Sequence, residues 1–392
     1  MKVALISGAP LKDCSEIGAA YYTRALAAGL RQRGFDVAIW SKLGCGEPAA
    51  SEAPVIPTWR PGWFAWYDIA AAIRKRRPDV VHVQHSMFVL GAGASGEISM
   101  LLLLLLLRFM RVPLIVTVHD VPALGQVTQE YVHLHGYKFP APAVTLGLRV
   151  LFWAIGSSAR AIVVHQDAFA RILVNDFHIA PRKIAVVPHV DVPVITAAKD
   201  ARASLGLQAE DRIVLFFGFA TRYKGIELLL DAVASLGSLR VKLLLGAGEH
   251  PKVAHMPEYR RYYDELKARA RATPGVEFLG FLPDARLGEY VDAADAAIFP
   301  YVEFQGMSGP LNICAAHGRP FLVSTEIAGK IPGLHSCAFE PRAGAIANAI
   351  ERFFTAAAYR AAVEDECRRF GATVAGNDAV ARTAGIYARR FK

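Results

Sequence analysis

The stretch FFGFATRYKGIELLL, residues 216–230, places two cations between an apolar strand and an amphipathic helix. Its pattern predicts a strand that ends at Gly218 and a helix that begins at Gly225 and runs to residue 236. Arg222 and Lys224 then lie beside the unpaired N–H groups of a helix start, where anions bind well. Guanidinium and ammonium groups at such a turn suit a diphosphate with a charge of about two. The stretch therefore predicts a strand-turn-helix unit with a diphosphate site.

Apolar runs rich in β-branched residues recur along both halves of the chain, with helical stretches between them. The predicted strands are 3–7, 37–40, 80–84, 114–119, 161–165 and 184–188, then 213–218, 241–246, 276–279, 296–301 and 320–324. Such runs are typical of a parallel sheet covered by helices on both faces. The sequence therefore predicts an α/β fold of two Rossmann-like, doubly wound domains, with the carboxyl ends of both sheets facing a central cleft.

The domain boundaries follow from the length and from one change in composition. A chain of 392 residues that is 53% hydrophobic suits two packed domains. Residues 192–212 replace apolar runs with proline, small and charged residues, which indicates a linker with a short helix. We expect an N-terminal domain over 1–192, a second domain over 193–376, and an amphipathic helix within 377–392 that packs back on the first domain. The leucine run 101–107 is far shorter than the roughly 20 residues of a membrane span, so it predicts a buried helix.

Charge and cysteine content narrow the functional classes. A formal net charge of +9 favours an anionic partner, such as nucleic acid, an acidic membrane surface or a phosphorylated small molecule. The basic residues are dispersed and no RNA-binding or DNA-binding motif occurs, so we do not expect nucleic acid. The five cysteines have no ligand-like spacing and the first residues carry no secretory signal, which indicates a reducing cytoplasm and no zinc site.

Several motifs then follow one another in a recognisable order. They are MKVALISGAP (1–10), VVHVQH (80–85), TVHD (117–120), FFGFATRYKG (216–225), GAG (246–248), GFLPD (280–284) and FPYVEFQGMSGPL (299–311). Their order and spacing resemble the retaining glycosyltransferases of family four, whose architecture is called GT-B, over nearly the whole chain. The resemblance implies a metal-independent hexosyltransferase that moves a sugar, with retention, from a nucleoside-diphosphate sugar to a hydroxyl acceptor. It implies no cofactor beyond that donor.

The resemblance also implies roles for individual residues. The catalytic group is His119, Arg222 and Lys224. The residues implied for donor binding are Gly218, Gly225, Gly246, Phe281, Leu282, Gln305, Gly306, Met307, Ser308 and Gly309, and those on the acceptor side are Gly8, Gly18 and His85. The alternative for Arg222 and Lys224 is that they are ordinary solvated turn charges, which the flanking signals disfavour. Read without the resemblance, His119 is more typical of a histidine satisfied at a strand end.

This chain departs from the family in three places. Phe219 stands directly after the strand glycine, where the family often has arginine. Gln305 and Ile313 stand where many members carry two glutamates, one near the donor sugar and one on the ribose. Ile313 cannot bind a ribose hydroxyl, which leaves ribose recognition open, although a branch with a Ser-Gly loop is more similar to this chain. The alternatives are a nucleotide-sugar-binding pseudoenzyme and a GT-B phosphorylase or epimerase.

The segment WRPGWFAWY, residues 59–67, is followed one helix-length later by RKRR, residues 74–77. Aromatic anchors beside a basic cluster suit an anionic membrane interface. Alternatively, the tryptophans belong to the core and the basic run ends a helix. On the first interpretation, we expect a cytoplasmic protein that docks on the inner leaflet to reach a glycan or lipid-linked acceptor. Polysaccharide, lipopolysaccharide or glycolipid assembly would be its setting.

Overall fold

The described part of the chain forms two compact units in the computed structural model. The structure describes residues 1–7, 17–43, 53–87, 89–91, 93–134, 139–188, 200–250, 253–254, 256–304, 308–375 and 378–390. Unit 1 holds the described residues of 1–191 and 377–392, and unit 2 holds those of 192–304 and 308–376. Each unit has its own parallel sheet and its own core.

Unit 1 is built on a seven-stranded parallel sheet. Its strands are β1 (Lys2–Ile6), β2 (Asp36–Lys42), β3 (Val55–Trp59), β4 (Val80–His85), β5 (Leu114–Val118), β6 (Ala161–Val164) and β7 (Ile184–Val186). The helices between them are α1 (Ile17–Gln32), α2 (Ala65–Arg76), α3 (Gly93–Phe109), α4 (Gln129–Leu134), α5 (Ala141–Ser158) and α6 (Asp167–Asn175). The strand order is β3-β2-β1-β4-β5-β6-β7, so the chain reverses its winding direction between β1 and β4.

Both faces of this sheet are covered, as β1 shows. Its residues alternate between two hydrophobic clusters, with Ala4 and Ile6 in one and Val3 and Leu5 in the other. A strand buried on both faces needs apolar residues at every position, which explains the unbroken apolar run at the start of the chain. Polar side chains are therefore confined mainly to the strand ends.

Unit 2 repeats this design with six parallel strands. The chain passes through α7 (Ala201–Ser204), β8 (Arg212–Phe219), α8 (Ile226–Ser235), β9 (Val241–Gly248), α9 (Pro257–Ala272), β10 (Val276–Phe278), α10 (Asp284–Ala293) and β11 (Ala296–Phe299). It continues through α11 (Gly309–Ala316), β12 (Phe321–Ser324), α12 (Thr325–Ala328), β13 (Ala338–Phe339), α13 (Ala343–Thr355) and α14 (Ala357–Ala375). The strand order is β10-β9-β8-β11-β12-β13, which places the winding reversal between β8 and β11.

A last helix, α15 (Ala379–Arg390), belongs to unit 1 although it follows all of unit 2 in the sequence. It packs on α1, where a Cβ at Gly29 would lie only 2.7 Å from Val380. Arg33 pairs with Asp378 at its start, and Tyr387 is fully buried in the unit 1 core. Glycine at position 29 thus lets the two helices approach closely.

The predicted α/β fold with two Rossmann-like sheets is confirmed. All eleven predicted strands are present, with ends that differ by one or two residues. The sequence prediction missed β3 and β13, which are the edge strands of their sheets. Strand β3 contains Pro57, which is tolerated at a sheet edge but weakens the strand signal, and β13 has only two residues.

The aromatic segment 59–67 divides between the two interpretations offered for it. Trp59 is fully buried in the core of unit 1, whereas Trp63, Phe64 and Tyr67 are exposed. The basic run 74–77 is exposed at the end of α2, where Arg77 adopts a left-handed conformation. Among the helices that the structure describes, α5 is the one that is long and apolar enough by composition to cross a membrane. A third of it is buried inside unit 1.

Candidate functional site

In unit 2, the turn between β8 and α8 is held by a glycine that no other residue can replace without strain. Arg222–Lys224 form one turn of 3-10 helix, and Gly225 follows with a φ of 63°. A Cβ at Gly225 would lie 2.1 Å from the carbonyl oxygen of Pro300. The positive φ and this close approach both require glycine. The turn that carries both predicted cations is thus fixed against the end of β11.

Lys224 is a buried cation at this turn. Its Nζ lies 5.3 Å from the ring centroid of Tyr301, and a Cβ at Gly218 would lie only 2.6 Å from it. Glycine at 218, with a φ of 139°, therefore leaves the space that the ammonium group occupies. No carboxylate pairs with Lys224 among the residues that the structure describes. Burial lowers the pKa of Lys224 to about 8, so it remains mostly charged at neutral pH.

Arg222 differs from Lys224 in exposure and in support. Its side chain is mostly exposed, and its guanidinium carbon lies 4.5 Å above the ring of Tyr262 from α9. Its nearest carboxylate oxygen, on Glu227 in the first turn of α8, is 4.0 Å away. Stacking on an aromatic face orients a guanidinium while leaving its N–H groups available. The contacts of Tyr262 and Tyr301 with these two cations were not predicted from the sequence, although tyrosine recurs on α9 at 259, 262 and 263.

The predicted Ser-Gly helix start is connected to the same turn. The backbone N–H groups of Val302 and Glu303 donate to the carbonyl oxygen of Tyr223, at 2.8 and 3.4 Å. Ser308 is buried at the cap of α11, whose first residue is Gly309. The loop after β11 therefore starts beside Arg222 and Lys224.

Of the two positions where many family members carry a glutamate, the structure describes only residue 313. Gln305, Gly306 and Met307 lie outside the described residues. Ile313 packs against the hydrophobic core of unit 2 from the middle of α11. Its side chain thus has an apolar packing role and supplies no polar group.

The glycines of β9 are in contact with the loop before α10. A Cβ at Gly246 would lie 2.6 Å from Leu282, and one at Gly248 would lie 2.8 Å from Phe281. The exposed ring of Phe281 is nearly parallel to that of Phe219, with centroids 6.1 Å apart. The structure thus brings together Gly246, Phe281 and Leu282, which were predicted to bind the donor, and places Phe219 beside them.

In unit 1, three histidines follow adjacent strands of the sheet. His85 ends β4, His119 follows β5 and His165 follows β6, and these strands are hydrogen-bonded neighbours. The backbone N–H of His119 donates to the carbonyl oxygen of His85, at 3.0 Å. The parallel topology therefore gathers residues that are far apart in sequence. His189 and Gly8 lie outside the described residues, and Gly18 lies in the first turn of α1.

His119 belongs to a chain of hydrogen bonds that its neighbours orient. His165 Nδ1 donates to the carbonyl oxygen of Val187 at 3.0 Å, because a carbonyl can only accept. The Nε2 atom of a neutral His165 then accepts from His119 Nδ1, at 3.2 Å. His119 Nε2 lies 3.0 Å from the side-chain oxygen of Gln84. Both ring nitrogens of His119 thus have partners inside unit 1, which the sequence could not reveal.

The Gln84 contact allows two protonation states of His119. An imidazolium would donate to the Gln84 oxygen as it stands. A neutral ring would accept from the Gln84 amide nitrogen after the amide is turned, and this nitrogen has no other partner. Tyr22 supports the arrangement through edge-to-face contacts, with its ring centroid 5.1 Å from that of His119 and 4.8 Å from that of His165.

Both histidines of β4, His82 and His85, are deeply buried and neutral. His82 contacts the Tyr387 hydroxyl at 2.6 Å and the Thr117 hydroxyl at 2.7 Å. Neither ring nitrogen of His85 has a hydrogen-bond partner among the described residues, and its ring lies against Phe152. Burial lowers the pKa of His82 to about 3 and that of His85 to about 4. Among the described residues, no three His, Cys, Asp or Glu side chains are placed to hold a metal ion.

Two family patterns match consecutive parts of the chain. Residues 17–190 match Glycosyltransferase Family 4, and residues 211–356 match Glycosyl transferases group 1. Each match falls within one of the two units, and together they include β4 to β6 as well as the β8 turn.

Individual relatives are more distant. The chain is 28% identical over 239 residues to a D-inositol 3-phosphate glycosyltransferase of Mycolicibacterium paratuberculosis. The aligned region covers 57% of this chain and 51% of that protein. It is 30% identical over 189 residues to the protein of the same name from Mycobacterium bovis, which covers 45% of this chain and 38% of the relative. The chain thus matches about half the length of these relatives or less.

Solved structures resemble the whole chain. Sucrose-phosphate synthase from Thermosynechococcus elongatus has a TM-score of 0.74 at 20% identity, with 99% of this chain and 98% of that chain covered. Anabaena Alr3699/HepE in complex with UDP-glucose has a TM-score of 0.72 at 16% identity, with 99% of both chains covered. At these identities the likeness concerns the fold.

Proposed function

The chain belongs to glycosyltransferase family 4 and has the GT-B fold, and from this premise we propose that it transfers a hexose from a nucleoside-diphosphate sugar to a hydroxyl acceptor. We further propose that transfer retains the anomeric configuration, as in the family that it resembles. One observation carries the proposal: Lys224, at the strand-to-helix turn after β8, is buried and has no carboxylate partner among the residues that the structure describes. UDP-glucose bound to a structure of the same fold supports this donor class.

Lys224 and Arg222 would stabilise the departing diphosphate. A buried ammonium without a counter-ion is unfavourable until an anion binds, so the site favours a ligand that carries negative charge. The stacking of Arg222 on Tyr262 leaves its N–H groups available to donate to the phosphate oxygens as charge develops. The backbone N–H groups at the start of α11 would add to this field. We propose that these cations replace the metal ion that many phosphate sites use, and that the donor is the only co-substrate.

His119 would contact the transferred sugar. Because both of its nitrogens are hydrogen-bonded, a sugar hydroxyl must replace the side chain of Gln84 at Nε2. A hydroxyl can both donate and accept, so it can take over this contact in either protonation state of the His119 ring. His165 keeps His119 Nδ1 occupied throughout and therefore acts as a positioning residue.

The acceptor is a hydroxyl of a glycan or of a lipid-linked molecule. We propose that the protein works in the cytoplasm, at the inner face of the membrane, in polysaccharide, lipopolysaccharide or glycolipid assembly. The exposed Trp63, Phe64 and Tyr67 at the start of α2, with the exposed basic run 74–77 at its end, support this setting.

Donor binding provides the direct test. Thermal-shift measurements with UDP-, GDP- and ADP-sugars should show one base class that raises the melting temperature, because that ligand binds only the folded chain. Lys224→Met should abolish the shift. Lys242→Met is the matched control, since Lys242 is a half-exposed lysine of the same unit that pairs with Asp211. A protein that none of these donors stabilises would contradict the proposal.

A second function is favoured by Ile313 alone. Its core packing removes the polar group that many relatives use on the ribose, as expected for a nucleotide-sugar-binding pseudoenzyme. Donor binding without hydrolysis or transfer to any acceptor would select this alternative. Turnover that requires inorganic phosphate and an oligosaccharide would instead indicate a phosphorylase.

A further inference from the structure

Helix α5 carries an apolar stripe on its outer surface in addition to its buried face. Val144, Leu148, Leu151, Phe152 and Ile155 are buried in the unit 1 core. On the opposite side, Leu146 is 63% exposed, Val150 40% and Trp153 61%. These three residues are spaced by four and three positions, so they share one helix face. A surface helix normally carries polar residues there, and an apolar stripe indicates that something covers it.

Helix α3 extends this surface. It packs beside α5, and it exposes Ile98, Leu102 and Phe109. At 100° per residue these positions lie within about 40° of one another around the helix axis. Phe109 is 83% exposed, and the neighbouring Arg108 donates to the carbonyl oxygen of Ser157 at the end of α5. The two apolar stripes therefore belong to adjacent helices.

Arginines predominate around these stripes. The segments 93–119 and 139–166 contain four arginines, Arg108, Arg111, Arg149 and Arg160, and one carboxylate, Glu97. All four arginines are exposed, whereas Glu97 is half-buried. Solvent-exposed helices of a soluble surface usually mix both signs, whereas an apolar stripe with an excess of arginines suits a surface of negative charge.

We propose that the exposed faces of α3 and α5, called here the α3/α5 surface, dock on an anionic phospholipid bilayer. Tryptophan and phenylalanine side chains would enter the boundary between headgroups and acyl chains, and the arginines would contact phosphate groups. Helix α5 lies on this boundary and does not cross the bilayer, because its other face forms part of the unit 1 core. The inference rests on the proposed function only for the reason to dock, which is access to a lipid-linked acceptor.

Vesicle binding tests the surface directly. The full-length protein is sedimented with vesicles of phosphatidylcholine that contain about a third phosphatidylglycerol, and with vesicles of phosphatidylcholine alone. We expect binding to the anionic vesicles at low salt and loss of binding as salt is raised. The variant Leu146→Glu/Val150→Glu should bind the anionic vesicles about tenfold more weakly, because it places two carboxylates on the apolar stripe.

A matched variant controls for added charge. Ala357→Glu/Ala361→Glu adds the same two charges, with the same spacing, to exposed positions of α14 in unit 2. It should bind vesicles as the unaltered protein does. Both variants should keep the thermal shift given by the nucleotide sugar, which separates failure of docking from failure of the proposed function or of folding.

Three outcomes would overturn the inference. The unaltered protein could fail to sediment with anionic vesicles at low salt. The α5 variant could bind as well as the control variant. Light scattering could show a dimer that the α5 variant alone dissociates, in which case a second copy of the chain covers the α3/α5 surface.

Discussion

The two units have the same parallel topology at their strand ends, but the residues at those ends differ in charge. In unit 1, histidines lie on β4 and directly after β5 and β6, and burial keeps His82 and His85 of β4 neutral. In unit 2 the corresponding turn carries Lys224, which burial shifts toward neutrality but leaves mostly charged at pH 7. The difference follows from the ordinary pKa values, about 6.5 for histidine and about 10.4 for lysine.

On the proposed function, this difference gives one fold two kinds of recognition. Hydrogen-bonded histidines suit uncharged hydroxyl groups. A buried ammonium that has no carboxylate partner among the described residues suits a phosphate. The scaffold supplies only the position at the carboxyl ends of the strands, and the residue type supplies the chemistry.

The largest expected effect comes from removing the charge in unit 2. Lys224→Met should lower the rate of sugar transfer by about three orders of magnitude, since a buried donor to the leaving group is lost. The same variant should be more stable by on the order of 2 kcal/mol at pH 7, because a buried charge without a partner disappears. Steady-state kinetics and thermal melting measure the two effects. A variant that is both inactive and less stable would show that Lys224 is structural.

Acid should destabilise unit 1 through its neutral histidines. The pKa values of His82 and His85 are lower in the folded than in the unfolded chain, so the unfolded chain binds more protons between about pH 6.5 and pH 4. Stability therefore falls as the pH drops through this window, by about 3 kcal/mol for each histidine at pH 4. Urea unfolding at pH 7 and pH 4.5 measures the loss. His85→Met should reduce it, whereas His335→Met, at an exposed histidine of unit 2, should not.

A substitution at Gly218 would move the ammonium group of Lys224 without removing its charge. It therefore tests whether donor binding depends on the position of that group. Gly218→Ala would place a methyl group 2.6 Å from Lys224 Nζ, so the side chain must shift. We expect donor affinity to fall at least about tenfold, partly because the φ of 139° also strains alanine. Calorimetric titration with the donor measures this loss. Affinity equal to that of the unaltered protein would mean that the diphosphate does not contact Lys224.

The smallest expected effect is a loss of donor affinity in mild alkali. With a pKa of about 8, Lys224 loses its proton as the pH rises, and donor affinity should fall about fourfold from pH 7 to pH 8.5. Bound diphosphate would raise this pKa, so saturated enzyme should be less sensitive. Lys224→Arg should abolish the pH dependence, because arginine stays charged. An unchanged slope in that variant would assign the titration to another group.

The strands were predictable from the sequence because buried parallel strands are short apolar runs, rich in β-branched residues, with turn residues at their ends. The same reasoning failed at β3, where Pro57 and a sheet edge remove that pattern. It predicted the histidine and lysine positions, because both follow strands. Their surroundings could not be predicted. The contacts of Lys224 with Gly218 and Tyr301, and of His119 with Gln84 and His165, join residues that only the folded chain brings together.

The α5 surface shows a different limit of sequence reasoning. Its residues read as a continuous apolar helix, so the sequence cannot say which side is buried. Packing on the sheet decides that Leu148 and Phe152 face inward and that Leu146 and Trp153 remain outside. The aromatic segment 59–67 behaves in the same way, with Trp59 inside and Trp63 outside.

Helix α15 makes the completion of unit 1 conditional on the translation of unit 2. It contributes Tyr387 to the interior of unit 1, yet it leaves the ribosome after every strand of unit 2. A nascent chain that stops within unit 2 leaves His82 without the Tyr387 hydroxyl and leaves the adjoining face of the sheet uncovered. Truncated products therefore expose apolar surface that is buried in the full chain, which makes them substrates for cellular proteases.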